Sequence, residues 1–294
     1  KSCESDPGGK MNKIAVISDT TCDIPDHIVE KYGIRLLPMQ VVYSYRAFKD
    51  RVDIDTDYVY ENLESEIPRS SLPLISDITD VLEKLKNEGV THIIAITLSS
   101  KLSGTFNAVR TALDGYRDSF CVEIIDSKLI SMAMGFSVIE AARTVIETGD
   151  FDKAVERGRY VLERSRGYFT VDNIKYLVKG GRISSFEAKV GKMLDIRPII
   201  GVDEEGKYYA AGKIRGRKKS LQEMMELAMA DVRGKRKIKF ASMHGRSIED
   251  AKRQYDIFSS LENISQDDRY IINVGPMMAG HSGPGTVGIC VSWE

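Results

Sequence analysis

This chain has little of what would tie it to a membrane, a metal or a nucleic acid. No apolar run approaches the ~18 residues needed to span a bilayer, and the amino-terminal residues lack the apolar region of a signal peptide. No stable membrane insertion is therefore expected. Cysteine is scarce, with four in 294 residues (Cys3, Cys22, Cys121, Cys290) and no C-x-x-C pair. Neither a disulfide framework nor a zinc site is the natural reading of that spacing, and a reducing cytoplasm is the expected compartment. The histidines at 27, 92, 244 and 281 show no paired metal-ligand spacing and no H-E-x-x-H. Lysine and arginine number 42 against 43 acids, for a net charge of −1, so nothing global attracts nucleic acid. No serine sits in a G-x-S-x-G elbow.

Two phosphate-binding patterns are present in letters only. Gly283-Pro284-Gly285-Thr286-Val287-Gly288 matches G-x-G-x-x-G, but no strand–turn–helix follows and no acid stands ~20 residues on. Gly201-Val202-Asp203-Glu204-Glu205-Gly206-Lys207 is close to a P-loop, yet Tyr208 occupies the magnesium-ligating position and three consecutive acids would repel a phosphate. A hairpin turn is the better reading there.

What the chain does have is a soluble composition, 42% hydrophobic and 29% charged, at a length sufficient for two domains. Residues 1–10 (KSCESDPGGK) have no periodicity, read as an expression remnant and are set aside. From Lys13 onward, short apolar runs rich in β-branched residues alternate with helical patterns. Lys13–Ile17, Gly33–Tyr43 (bent at Pro38), Thr91–Thr97 and Phe120–Ile125 read as strands, with helices after Pro25 and over 58–66, 76–88, 106–113 and 132–141. Strand and helix in alternation predict a doubly wound parallel sheet. The stretch Lys49–Asp57 reads as a charged surface loop and Ile67–Pro73 as a connector. The methionines and Phe136 of the 132–141 helix read as core.

After Arg166 the pattern shifts to strands at 167–171, 196–202, 207–211, 237–243 and 268–275 with helices at 174–178, 187–194, 220–233 and 248–261. The fold class is thus α/β: an N-terminal domain (residues 11–165) with a doubly wound parallel sheet, then a C-terminal α+β domain (166–294) with a mixed sheet.

The stretch Thr91–Thr105 carries the clearest functional signal. A buried strand ends in Ser99-Ser100-Lys101-Leu102-Ser103-Gly104-Thr105 and feeds a helix, which leaves backbone N–H groups aimed outward with the Ser103 and Thr105 hydroxyls beside them. That is an anion site at the C-terminal edge of a parallel sheet; the same residues also fit an ordinary helix cap. The basic cluster Lys213, Arg215, Arg217, Lys218 and Lys219 reads as a solvated face or as a partner contact, with Arg215 and Arg217 the candidates for contact.

Five stretches in order, Ser18–Pro25, Ser99–Thr105, Ile125–Lys128, Val171–Ser184 and His281–Gly288, resemble the DegV family of bacterial fatty-acid-binding proteins. The resemblance implies a protein that holds one long-chain fatty acid, with the carboxylate at the interdomain cleft and the tail buried in the N-terminal domain. It also implies presentation to a dihydroxyacetone-kinase-like, ATP-dependent fatty acid kinase for acyl phosphate formation, with no cofactor and no chemistry of its own. By motif, the carboxylate ligands fall on Ser103 with Gly104 and Thr105, on His281, and on Ser70, where the family's T-S-Q-P-S loop becomes Ser70-Ser71-Leu72-Pro73-Leu74. Leu72 and Leu74 depart from that pattern and make the mouth more apolar. A histidine paired with the carboxylate would have a raised pKa. A 16-carbon tail would contribute on the order of 10 kcal/mol before ordering costs. The competing reading is an acyl hydrolase or transferase with Ser103 as nucleophile and His281 as base. No third group that would orient the histidine is identifiable.

Overall fold

The computed structural model describes residues 12–183 and 196–294. Residues 1–10 and the helix expected at 187–194 lie outside the described residues. The N-terminal half is built on a four-stranded parallel sheet in the order β2-β1-β6-β7, formed by β1 (Ile14–Asp19), β2 (Arg35–Leu37), β6 (His92–Thr97) and β7 (Cys121–Asp126). β1 and β6 are central and buried on both faces, which is why they read as unbroken apolar runs. One face carries α3 (Ile75–Asn87) and α4 (Thr105–Asp114). The other carries α1 (Asp26–Tyr32) and α5 (Met132–Thr148).

The C-terminal half is a six-stranded mixed sheet in the order β10-β9-β8-β13-β11-β12. Its strands are β8 (Ser165–Thr170), β9 (Ile196–Val202), β10 (Tyr208–Arg215), β11 (Ile238–His244), β12 (Ile264–Asn273) and β13 (Val287–Ser292). Only β11 and β12 run parallel. Helices α8 (Arg217–Val232) and α9 (Ile248–Ser259) cover one face. The opposite face, with Phe169, Ile200, Met243 and Cys290, packs into the same core as α5. Helix α5 therefore lies between the two sheets and is buried from Met132 to Ala142. Its methionines and Phe136 are core, as their pattern implied. Gly135 lets it approach the turn after β1, where a Cβ would meet the Cys22 carbonyl at 2.7 Å.

Three local readings are corrected. The stretch 33–43 forms two strands in different sheets: β2 ends before Pro38, and β3 (Gln40–Val42) joins a small antiparallel sheet with β4 (Ala47–Lys49) and β5 (Arg69–Ser71) in the order β4-β3-β5. The presumed connector at 67–73 is therefore partly strand. In the presumed surface loop at 49–57, Asp50 is only 1% exposed; a carboxylate can be buried when its oxygens find donors, and this one does. Helix α6 (Phe151–Glu163), absent from the sequence reading, packs on α5.

A charged network joins the halves. Glu140 of α5 accepts from Arg143 and from Arg157 of α6, Arg143 also binds Asp268 of β12 at 2.9 Å, and Lys239 of β11 stands 3.6 Å from Glu140. Cys22 and Cys290 are free and buried.

Candidate functional site

The turn after β6 does not cap its helix with a side chain. Gly104 holds the N-cap position of α4. Ser103 Oγ instead lies 2.9 Å from Thr105 Oγ1 and accepts a long 3.3 Å bond from the Thr105 N–H. Both hydroxyls thus sit at an uncapped helix start. Thr105 is fully buried, whereas Ser103 faces a cavity of about 800 Å³, its open mouth included. Ser70, Gly104, Arg182 and His281 line the same cavity, with Leu72, Met39, Leu102 and Met277 as apolar walls.

His281 comes from α10 (Pro276–Ser282), a short helix whose last turn turns the imidazole toward β5. There Nε2 lies 2.7 Å from Ser70 Oγ. Gly180, at the end of α7 (Lys175–Gly180), backs the ring so closely that a Cβ would overlap His281 Nδ1. The imidazole faces the cavity but is otherwise packed in protein. Burial, and then the nearby Arg182 charge, lower its pKa to about 4, so the unliganded ring is neutral at pH 7. The raised pKa expected of this histidine belongs to its pairing with a ligand carboxylate, a group the protein itself does not supply.

Arg182 was not singled out from sequence, although it lies within the Val171–Ser184 stretch. Its Nε reaches the Leu102 carbonyl at 3.4 Å and another guanidinium nitrogen donates to Gly180 O. The guanidinium thus stands beside the Ser103 turn and lines the same cavity. A basic residue just after a Gly-Gly break was the available signal.

Beside the polar mouth lies a second, smaller and almost wholly apolar cavity that shares Ile130, Phe169, Met278 and Ser282 with the first. Its walls are Leu129 and Ala133 on one side and Val202, Met243, Gly288 and Cys290 on the other. The space is therefore at the seam of the two halves and not inside the N-terminal half. There the two faces of the parallel sheet are already filled by helices.

The two basic candidates separate. Arg215 is exposed at the end of edge strand β10. Arg217 is consumed internally: it binds Asp250 at 2.6 Å, Ser247 at 3.1 Å, the Gly285 carbonyl at 2.7 Å and also Asp172. Both decoys resolve as turns. Residues 203–207 close the β9–β10 hairpin, whose Gly206 carbonyl accepts from Ser99 Oγ at 2.7 Å. Among the described residues, no group of three or more His, Cys, Asp or Glu could hold a metal ion, and no helix is long and apolar enough to cross a membrane.

The profile of the DegV family, described as uncharacterised, matches residues 13–294. The chain belongs to the DegV family. A DegV domain-containing protein of Clostridium acetobutylicum is 39% identical over 286 residues, 97% of this chain and 100% of that one. Among solved DegV structures, the fatty acid binding protein DegV of Bacillus subtilis aligns with a TM-score of 0.86 at 29% identity, over 97% of this chain and 100% of that one. The fatty acid binding DegV family protein of Streptococcus agalactiae aligns with a TM-score of 0.86 at 26% identity, over 96% and 99%. These DegV structures share the two-sheet architecture: an α/β chain with an N-terminal parallel sheet and a C-terminal mixed sheet.

Proposed function

We propose that this protein binds one long-chain fatty acid, with its carboxylate at Ser103, Ser70, His281 and Arg182 and its tail in the apolar cavity at the seam. The observation that carries this reading is the adjacency of the two cavities: a mouth of hydrogen-bond donors shares Ile130, Phe169, Met278 and Ser282 with an apolar one. A carboxylate leaving water needs several donors, each contributing about 1.5–3 kcal/mol. The Ser103 and Ser70 hydroxyls, the open start of α4 with Gly104 and Thr105, and the Arg182 guanidinium supply them. The tail supplies affinity by burial, the head group orientation. The described DegV relatives from Bacillus subtilis and Streptococcus agalactiae bind fatty acids, which supports the ligand class.

In this reading the protein is a carrier without chemistry of its own. It presents the carboxylate at the open mouth to a dihydroxyacetone-kinase-like, ATP-dependent kinase in the cytoplasm, which forms the acyl phosphate used in phospholipid synthesis. Arg215, exposed near the hairpin, is a contact for that partner; Arg217 is withdrawn from that role by its internal bonds. Against a hydrolase, His281 Nε2 is engaged by Ser70 and the Ser103 hydroxyl pairs with Thr105. The test is to replace Ser103 and His281 by alanine and measure fatty acid retention together with turnover of acyl esters. A carrier loses retention, and neither the parent nor the variant turns over ester. Ester turnover by the parent that vanishes with Ser103→Ala would overturn the reading.

A further inference from the structure

Helix α10 carries His281, yet nothing in its own sequence caps its start. Gly275 holds the N-cap position and has no side chain, and Pro276 follows it. The exposed N–H groups are taken instead by two acids far away in the chain. Asp50 Oδ1 accepts from the Met277 N–H at 2.8 Å, and Asp23 Oδ1 accepts from the Gly275 N–H at 3.1 Å. Thr56 adds a third tie, donating to the Val274 carbonyl at 2.7 Å. Asp50 is only 1% and Asp23 only 3% exposed. A buried carboxylate without firm donors is costly, so these bonds are rigid ones.

Asp50 directly follows β4, and Ser70 lies on β5 of the same small sheet. That sheet therefore grips α10 at both ends: Asp50 holds its first turn, and Ser70 meets His281 on its last. The distance between His281 and Ser70 is set by where Asp50 places the helix along the sheet. Asp23, whose other oxygen accepts from Ser131 Oγ at 2.7 Å, fixes the same end from the parallel sheet.

We propose that Asp50, assisted by Asp23, is a positioning residue that holds His281 and Ser70 in register for the ligand carboxylate. This rests on the fatty-acid reading above and concerns the head group alone, since neither acid lines either cavity. The discriminating quantity is the preference of the protein for palmitic acid over methyl palmitate. The ester keeps the tail and loses the charged head.

In Asp50→Ala this preference falls about fivefold or more, whereas Asp50→Asn, whose amide oxygen still accepts from Met277, stays within about twofold of the parent. Should Asp50→Ala not fold, Asp50→Glu keeps charge and acceptor but lengthens the tether by one methylene, and the preference falls there as well. A purely structural role would weaken acid and ester together and leave their ratio unchanged; that result overturns the proposal. If the parent itself binds neither lipid, or binds both equally, the carboxylate reading fails first and the positioning role fails with it.

Discussion

His281 Nε2 stands 2.7 Å from Ser70 Oγ across 211 residues of chain. The imidazole is neutral at pH 7, so one of the pair donates and the other accepts. A carboxylate brings no hydrogen of its own. Binding of a carboxylate here would therefore select the tautomer in which Nε2–H donates to Ser70 and the Ser70 hydroxyl proton turns to the ligand. In that relay the histidine orients a donor without needing to carry charge.

Removing one donor should cost its hydrogen bond and little else. Ser103→Ala is expected to weaken palmitic acid binding by roughly 10- to 100-fold, the equivalent of about 1.5–3 kcal/mol for a bond to a charged group. The melting temperature of the unliganded protein should change little, because among the described residues the Ser103 hydroxyl bonds only to its neighbour Thr105. Titration calorimetry and thermal melting check the two halves of this statement.

Gly180 provides a test of the ring position that leaves His281 in place. A Cβ at 180 would overlap Nδ1, and the ring cannot retreat without breaking its bond to Ser70. Gly180→Ala should lower fatty acid affinity to about the level of His281→Ala, a loss of the same order as one charged hydrogen bond. Binding of methyl palmitate should be much less affected. Competition of the two lipids for a fluorescent acyl probe reads both.

The pH dependence of stability carries the His281 signature. Its folded pKa, about 4, lies below its unfolded value of about 6.5. The unfolded chain therefore binds the proton first. The contribution of neutral His281 is complete above the unfolded value and is progressively lost as pH falls from there toward the folded one. Asp19 and Asp23 act with the opposite sign. Burial raises each to about 6, so in the window above the unfolded value near 3.9 their terms favour the folded state as pH falls. The difference in stability between the parent and His281→Gln isolates the histidine: the parent should lose ground relative to the variant between pH 7 and pH 5 in denaturant titrations.

Much of this was legible because it is local. Buried strands read as apolar runs, and Ser103 could be named because a strand–turn–helix junction exposes N–H groups wherever it occurs. Asp50 reads as surface loop and the backbone around Ser70 as a connector, Ser70 itself being named only through the family motif, since a charged or Pro-flanked stretch looks alike whether its polar atoms meet water or the start of a helix 200 residues on. Arg217 shows the converse. In sequence it belongs to a basic cluster, but four partners contributed by three other segments take it out of the solvent. Contacts of that range depend on how the two sheets meet across α5, which no local pattern encodes.

The charged seam should be worth more than its surface appearance suggests. Glu140→Ala would leave Arg143, Arg157 and Lys239 facing one another without the carboxylate they share. Breaking a buried pair from one side costs about 3–5 kcal/mol, which chemical denaturation would show as a lower midpoint. The outer members add an acid-side component. Asp268 is held below its ordinary pKa despite burial, and Glu294 near 2. Their contribution is complete above the unfolded values near 4 and is lost as pH falls through the folded ones.

The central claim is the ligand itself, and native mass spectrometry of the purified protein addresses it most directly. With palmitic acid added to lipid-stripped protein, the account predicts a mass increase of one fatty acid per chain, strongly reduced in Ser103→Ala with His281→Ala. A spectrum with no bound acyl chain, either as purified or after addition, would contradict it.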